Sequence, residues 1–238
     1  MEVAEQTITT NTSNIKVQKR DGRLEPLDID KIHFVVEEAC EGLTGVSSSQ
    51  IEINANIQFY DGITTKDIQH VLVKSANDLI SLENPNYQYA AARLLSYDVR
   101  KEAHGQYEYI PLLKLILRNI KLGVYDRTIV EKYHKSEIKK LNTWIKRDRD
   151  LDFTYAGLRQ VVDKYLVQDR SGGGVYETPQ FMYIMIALTI FQNYPKEKRL
   201  DYVRRYYNAI SRHRINIPTP IMAGVRTPLR QFASCVLV

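Results

Sequence analysis

Cysteine is nearly absent: Cys40 and Cys235 are the two in 238 residues. So sparse a pair cannot form a disulfide framework, and with no Cys-x-x-Cys spacing a zinc ribbon is excluded as well. No metal site is assigned, and a reducing cytoplasm is the expected setting. Long apolar runs are missing too. The longest, Phe181 to Phe191, falls far short of the roughly 20 residues that cross a bilayer, so no membrane segment is expected. Met1 to Asn14 has neither an apolar core nor a basic leading segment, and reads as a loose polar tail rather than a secretory signal. Gly172-Gly173-Gly174 is not followed by Gly-Lys-Ser/Thr, so it reads as a flexible turn and not a phosphate loop. The net charge is +5. Yet there is no aromatic and basic interleaving, no zinc-finger spacing and no stripe of about five or six basic residues, which argues against nucleic acid as a partner.

What is present is an ordinary globular composition, 44% hydrophobic and 26% charged, in a chain long enough for two modest domains. Val17 to Arg20 and Arg23 to Leu27 flank Asp21-Gly22, a dipeptide suited to the positive φ of a tight turn, so a small β-hairpin is expected. Asp28 or Asp30 then caps a helix with Ile32, Val35, Val36, Ala39 and Leu43 on one face. Cys40 lies on that apolar face and reads as core. A second helix starts among Ser47 to Ser49 and runs toward Phe59, and a short third strand fits near Gly62-Ile63. Thr65 with Asp67 and Ile68 reads as a capped helix start, and Tyr87 to His104 supplies a fourth helix ending before Gly105. Beyond Gly105 the pattern is helical almost throughout: Pro111 to Lys121, Arg127 to Lys146, Phe153 to Val167, Thr178 to Asn193 and Lys196 to Arg212. From Ile215 the helical period ends among prolines, and Phe232 to Val238 reads as a buried strand.

Two constellations carry chemistry. In the first, Lys19, Arg20, Lys31 and Lys101 offer donors for a triphosphate, and Glu25 and Asp28 offer acceptors suited to an adenine or ribose. Helix starts at Asp28 and Thr65 would add free backbone amides. The ordered set of Lys19-Arg20-Asp21-Gly22, the Asp28 to Lys31 helix start, Thr64-Thr65 and Tyr87-Gln88-Tyr89-Ala90-Ala91-Ala92-Arg93 resembles the ATP-cone, an allosteric nucleotide domain, over roughly residues 15 to 105. The resemblance implies that Val17, Lys19, Arg20, Glu25, Asp28, Lys31, Thr65 and Lys101 contact ATP or dATP as effectors. One helical turn beyond the threonine, where the family often has His, this chain has Gln69.

The second constellation lies in the rest of the chain. Asp148-Arg149-Asp150 with Phe153-Thr154-Tyr155, Lys164 to Val167, Tyr176 to Phe181, and the run from Pro218 through Thr227-Pro228 to Ala233-Ser234-Cys235 are similar in order and spacing to the large (alpha) subunit of class I ribonucleotide reductase. That family implies a fold that is mainly α with small β elements. Residues 1–14 form the tail, 15–105 an ATP-cone of four helices under a three-stranded β cap, 106–214 a helical domain, and 215–238 the start of an α/β ten-stranded catalytic barrel. It implies that Cys235 is one of the two thiols that reduce the ribose 2′ position, and that Thr219 and Ser234 contact the substrate nucleotide. Thr219, between two prolines, reads as part of a stiff rim loop, and Arg226 and Arg230 read as surface residues.

The family's Asn-x-Cys-x-Glu radical cysteine has no counterpart in this sequence, so the chain alone is expected not to reduce ribonucleotides. The implied partners are a complementary chain carrying the C-terminal part of the large subunit, a small subunit bearing the radical and its metal centre, and a thioredoxin or glutaredoxin type reductant, with no covalently bound cofactor. A naturally divided subunit, a truncation and a stand-alone ATP-cone nucleotide-binding regulator are the three alternatives, the last disfavoured by the missing zinc ribbon.

Overall fold

The computed structural model describes residues 15–171, 174–229 and 232–233. The described chain divides into two compact units between Leu94 and Leu95.

In the first unit, β1 (Lys16–Gln18) and β2 (Leu24–Pro26) form the expected hairpin, with Val17 opposite Glu25. Gly22 at φ +87° supplies the left-handed residue the turn requires. A parallel strand, β3 (Ile63–Thr64), adds on the other side of β1, giving the order β2-β1-β3. Helix α1 (Ile29–Cys40) starts at Asp28, whose carboxylate accepts from the Lys31 N–H, and α2 (Ser48–Asn56) starts at Ser47 in the same way. Helix α3 (Thr65–Asp78) takes its cap one residue earlier than expected: Thr64 Oγ1, not Thr65, accepts from the Asp67 N–H at 3.0 Å and donates to the Asp67 carboxylate at 2.7 Å. Thr65 is already the first helical residue, because Thr64 ends β3 in extended backbone and can turn its hydroxyl back onto the helix.

Helix α4 (Tyr87–His104) begins in this unit, and its opening run explains the unit's assembly. The Tyr87 hydroxyl accepts from the Ser47 N–H at 3.0 Å and donates to Gln50 at 2.7 Å, which holds α2. The Arg93 guanidinium donates to the carbonyls of Ala39 and Glu41, at 3.2 and 2.6 Å, and so satisfies the open end of α1. Ala90, Ala91 and Ala92 are buried, and their small side chains let the helices approach.

The second unit is helical. It comprises the end of α4, α5 (Leu112–Lys121), α6 (Thr128–Lys132), α7 (Lys135–Asn142), a 3-10 turn at Arg147–Leu151, α8 (Tyr155–Lys164), α9 (Pro179–Ile190), α10 (Lys196–Ile210) and α11 (Thr219–Gly224). Every residue from Pro179 to Thr189 is buried, so α9 is the central helix, packed by α10, α11 and the 3-10 turn. An all-round apolar helix is stable only inside a protein, and each buried Leu, Ile or Phe there contributes about 1.5–3 kcal/mol. The expected single helix from Arg127 to Lys146 is instead two. At His134 the backbone is extended, its ring accepts from the Ser136 N–H, and Glu137 accepts from the His134 N–H, a reciprocal cap that starts α7 afresh.

Near the end of the described chain, two further expectations change. Thr219 is the first residue of α11 and not part of a loop, because Pro218 stands at the cap and Pro220 in the first turn, where a missing N–H costs nothing. Arg226 is not a surface residue: its side chain is fully buried. The expected strand from Phe232 falls largely outside the described residues, since only Phe232 and Ala233 of it are described. No helix among the described residues is long and apolar enough to cross a membrane.

Candidate functional site

The candidate effector site lies on the hairpin and the helix starts around it. Val17 is buried in the central strand, directly across from Glu25. The Glu25 carboxylate is shared between Lys19 at 3.2 Å and Arg23 at 3.2 Å, and Arg23 also holds Asp21 at 2.8 Å. At the start of α1, Lys31 pairs with Asp28 at 2.8 Å. Hydrogen bonds from Arg23 and from Lys31 hold the Asp21 and Asp28 carboxyls below their ordinary range. A hollow of about 660 Å³ is lined by residues 25–31, Glu25, Asp28 and Lys31 among them. Thr64 is the partner of Gln18 across the sheet, so the start of α3 with Thr65 lies at the same sheet end as Lys19 and Arg20.

These cations and carboxylates satisfy one another at the surface, where solvent screens each pair and makes exchange of partners inexpensive. A triphosphate could take Lys19 and Lys31 from their carboxylates, leaving Glu25 and Asp28 to accept from a sugar or base. Gln69 is already committed, donating to the Leu94 carbonyl at 2.8 Å. Lys101 lies on the last turn of α4, past the division between the two units.

In the second unit, Thr219 lies on the boundary of two hollows. One, of about 830 Å³, is lined by Thr154, Gln160, Tyr165, Tyr183, His213 and Thr219 among others. The second, of about 750 Å³, is lined by Lys164, Arg170, Thr219, Thr227 and Ala233 among others. Ser234 and Cys235 lie outside the described residues, directly after Ala233. Among the described residues, no three His, Cys, Asp or Glu gather as metal ligands. Cys40 is half-buried in α1, and burial pushes its thiol up to about 11, so it stays protonated and unreactive.

Sequence reasoning missed the structure beneath Thr219. The Glu177 carboxylate accepts from the Arg226 guanidinium, from the Tyr125 hydroxyl and from the Val167 N–H at 2.8 Å. Arg226 also donates to the carbonyls of Met222 at 2.5 Å and Tyr165 at 2.8 Å. Both Arg226 and Glu177 are fully buried. The neighbouring Asp148-Arg149-Asp150 run works in a related way. Arg149 reaches Ser211 and Asn208 on and after α10, and Asp150 accepts from the Gln180 N–H at 3.2 Å, capping α9 where Thr178 makes no side-chain cap. No spacing rule marks Arg226 as internal, because its partners come from distant parts of the chain.

Comparison with known proteins adds to this geometry. The ATP cone domain matches residues 15–102, and the ribonucleotide reductase all-alpha domain matches residues 151–230. The ribonucleoside-diphosphate reductase 1 subunit alpha of Salmonella typhimurium is 51% identical over 225 residues, 94% of this chain and 30% of the relative. The chain thus joins a stretch like the ATP cone domain to one like the ribonucleotide reductase all-alpha domain. The corresponding Escherichia coli subunit is 50% identical over 225 residues, 94% of this chain and 30% of its own length. The alpha subunit of Enterobacteria phage T4 is 44% identical over 226 residues, 94% of this chain and 29% of its own. The chain therefore spans about 30% of the length of the reductase alpha subunits it matches first. The effector cluster falls within the ATP cone match, and Thr219, Glu177 and Arg226 fall within the all-alpha match.

Proposed function

We propose that this chain supplies the effector-binding and helical portions of a ribonucleoside-diphosphate reductase alpha subunit, an oxidoreductase that converts ribonucleotides to deoxyribonucleotides under control by ATP and dATP. The observation that carries this reading is the ATP cone and the reductase all-alpha domain standing in one chain about half identical to named reductase alpha subunits. Lys19, Arg20, Lys31 and Lys101 bind effector phosphates, the helix start at Thr65 adds backbone amides, and Val17, Glu25 and Asp28 meet the nucleoside. Each effector acts by stabilising one assembly more than another.

For the reduction, Cys235 is one of two thiols. Replacing a 2′-hydroxyl by hydrogen takes two electrons; the two thiols lose them and their protons as they join in a disulfide, and the hydroxyl leaves as water. Thr219 and Ser234 hold the substrate nucleotide beside that sulfur. A separate small subunit supplies the radical from its metal centre, a complementary chain supplies the rest of the alpha subunit, and a thioredoxin or glutaredoxin type protein reopens the disulfide. A thiol pair cycling in this way belongs in a reducing cytoplasm.

Calorimetry of the purified chain should show ATP and dATP binding. With an assembly that supplies the remainder of the alpha subunit, the small subunit and a dithiol, Cys235→Ser should abolish turnover while effector binding persists. Full turnover by Cys235→Ser would remove the catalytic assignment.

A further inference from the structure

Buried polar groups collect at the start of α9, where the sequence provides no ordinary cap. Thr178 stands at the cap position, but its hydroxyl makes no cap bond, and Pro179 brings no N–H. The Gln180 N–H is met instead by one oxygen of Asp150, at 3.2 Å. Among the described residues, no hydrogen-bond partner reaches the other Asp150 oxygen, the Thr178 hydroxyl or the Gln180 side-chain nitrogen. All three residues are 1% exposed or less. The Gln180 side-chain oxygen accepts from the Tyr207 hydroxyl at 2.8 Å, so its amide cannot turn over to hide the nitrogen.

Beside this helix start, one ring gathers two cations. Tyr109 stacks parallel to Phe181 at 6.0 Å between centres, and the guanidinium carbons of Arg100 and Arg147 lie 5.3 and 5.0 Å from the Tyr109 centre. His104 meets Tyr109 at 5.1 Å and Phe181 at 5.0 Å. Arg100 and His104 are four apart on α4, and Arg147 and Asp150 are three apart in the 3-10 turn, so each pair shares one side of its element. Among the described residues, Arg100 has Nε and Nη2 buried without a partner, Arg147 its Nε, and His104 both ring nitrogens. Burial holds the Asp150 carboxyl up at about 8 and the His104 imidazole down at about 4. At neutral pH both are uncharged, and the charge of the cluster comes from the two guanidiniums. A buried set dominated by donors and carrying positive charge is satisfied by an anion that only accepts, and the amide end of α9 favours the same sign.

We propose that the start of α9, together with Arg100 and Arg147, binds one small oxyanion of the phosphate or sulfate class. Thr178, Gln180 and the Asp150 carboxyl form the buried floor, and the half-buried arginines form the wall by which the ion enters. The site is independent of the effector cluster and of the reductase reading. Its test uses the whole chain in buffer free of phosphate and sulfate. Equilibrium dialysis should show binding of labelled inorganic phosphate that Arg147→Gln weakens about tenfold or more, the loss of one charge-assisted bond, while the ATP isotherm stays in place. Thr178→Val keeps the side-chain shape and removes a hydroxyl that caps nothing; it should weaken phosphate binding about two- to tenfold without lowering the melting temperature. Crystals soaked in selenate should show its anomalous peak within hydrogen-bond reach of Arg100, Arg147 and the Gln180 amide. Water alone at those atoms would overturn the site. So would phosphate binding untouched by both variants, or no binding in solution, which would make any selenate peak an adventitious ion only. Weakened ATP binding in Arg147→Gln would give these groups to a nucleotide and overturn the proposal too. Should Arg147→Gln lose its cooperative melt, Thr178→Val and the soaked crystal decide.

Discussion

The two units use the same charged residues to opposite ends. In the first, Lys19, Glu25, Asp28 and Lys31 form pairs at the surface, with side chains 31% to 71% exposed. In the second, Arg226 and Glu177 form a pair with no exposure at all. Water makes the first kind weak and exchangeable, which suits groups that must release one another for a ligand. Burial makes the second kind hard to break, since either partner alone would be left as an unsolvated charge. Where a charge sits relative to water thus separates exchangeable surface pairs from a scaffold, although the residue types are alike.

The sharpest test of that contrast is Glu177→Ala, expected to destabilise the second unit by about 3–5 kcal/mol in denaturant unfolding. Joint replacement of Glu177 and Arg226 by Leu and Met should recover much of the loss, and failure to recover any would mean the pair does more than neutralise itself. Next in size, Lys19→Ala should weaken ATP or dATP binding by roughly 1.5–3 kcal/mol while unfolding of the chain hardly moves. An unchanged isotherm would break the reading of the first unit as a recognition surface.

Titration provides a third test, on the buried side. Burial raises the Asp150 carboxyl from 3.8 to about 8 and lowers the His104 imidazole from 6.5 to about 4. Between pH 4 and 6.5 the unfolded state gains a proton at His104 and lacks one at Asp150 relative to the fold, so the two slopes oppose. From pH 6.5 to about 8 Asp150 acts without opposition from His104: the folded state keeps a proton the unfolded state has lost, and stability falls as pH rises, with His33, raised by its bond to Glu52, adding in the same direction. Asp150→Asn, which keeps an acceptor for the Gln180 N–H, should flatten that decline by something on the order of 1–2 kcal/mol. An equal decline in the variant would remove Asp150 as its source. Smallest of all, Gly22→Ala at φ +87° should cost about 1 kcal/mol or slightly more, read as a lower melting temperature of the first unit.

Much of the first unit was legible in the residues. Asp21-Gly22 predicts the hairpin, Asp28 or Asp30 and Ser47 to Ser49 predict the helix starts, of which the structure uses Asp28 and Ser47, and Tyr87 to His104 predicts α4 to the residue. These are local signals, set by turn chemistry and by hydroxyls or carboxylates within three residues of the amides they cap. Lys19 and Lys31, proposed as effector contacts, lie on that local frame. Two other helix starts, one in each unit, were harder. His134 as a cap and Thr64 in place of Thr65 both depend on which of two neighbouring residues turns extended, a choice worth little energy in isolation and made by packing.

The sequence by itself determined most element starts in the first unit, which faces are apolar, and which families the motifs resemble. Only the tertiary structure decided that Arg226 is internal and that Glu177 gathers Tyr125, Val167 and Arg226. The reason is physical. A charged residue's place relative to water depends on partners brought from about fifty or sixty positions away, and no local propensity encodes a partner at that separation.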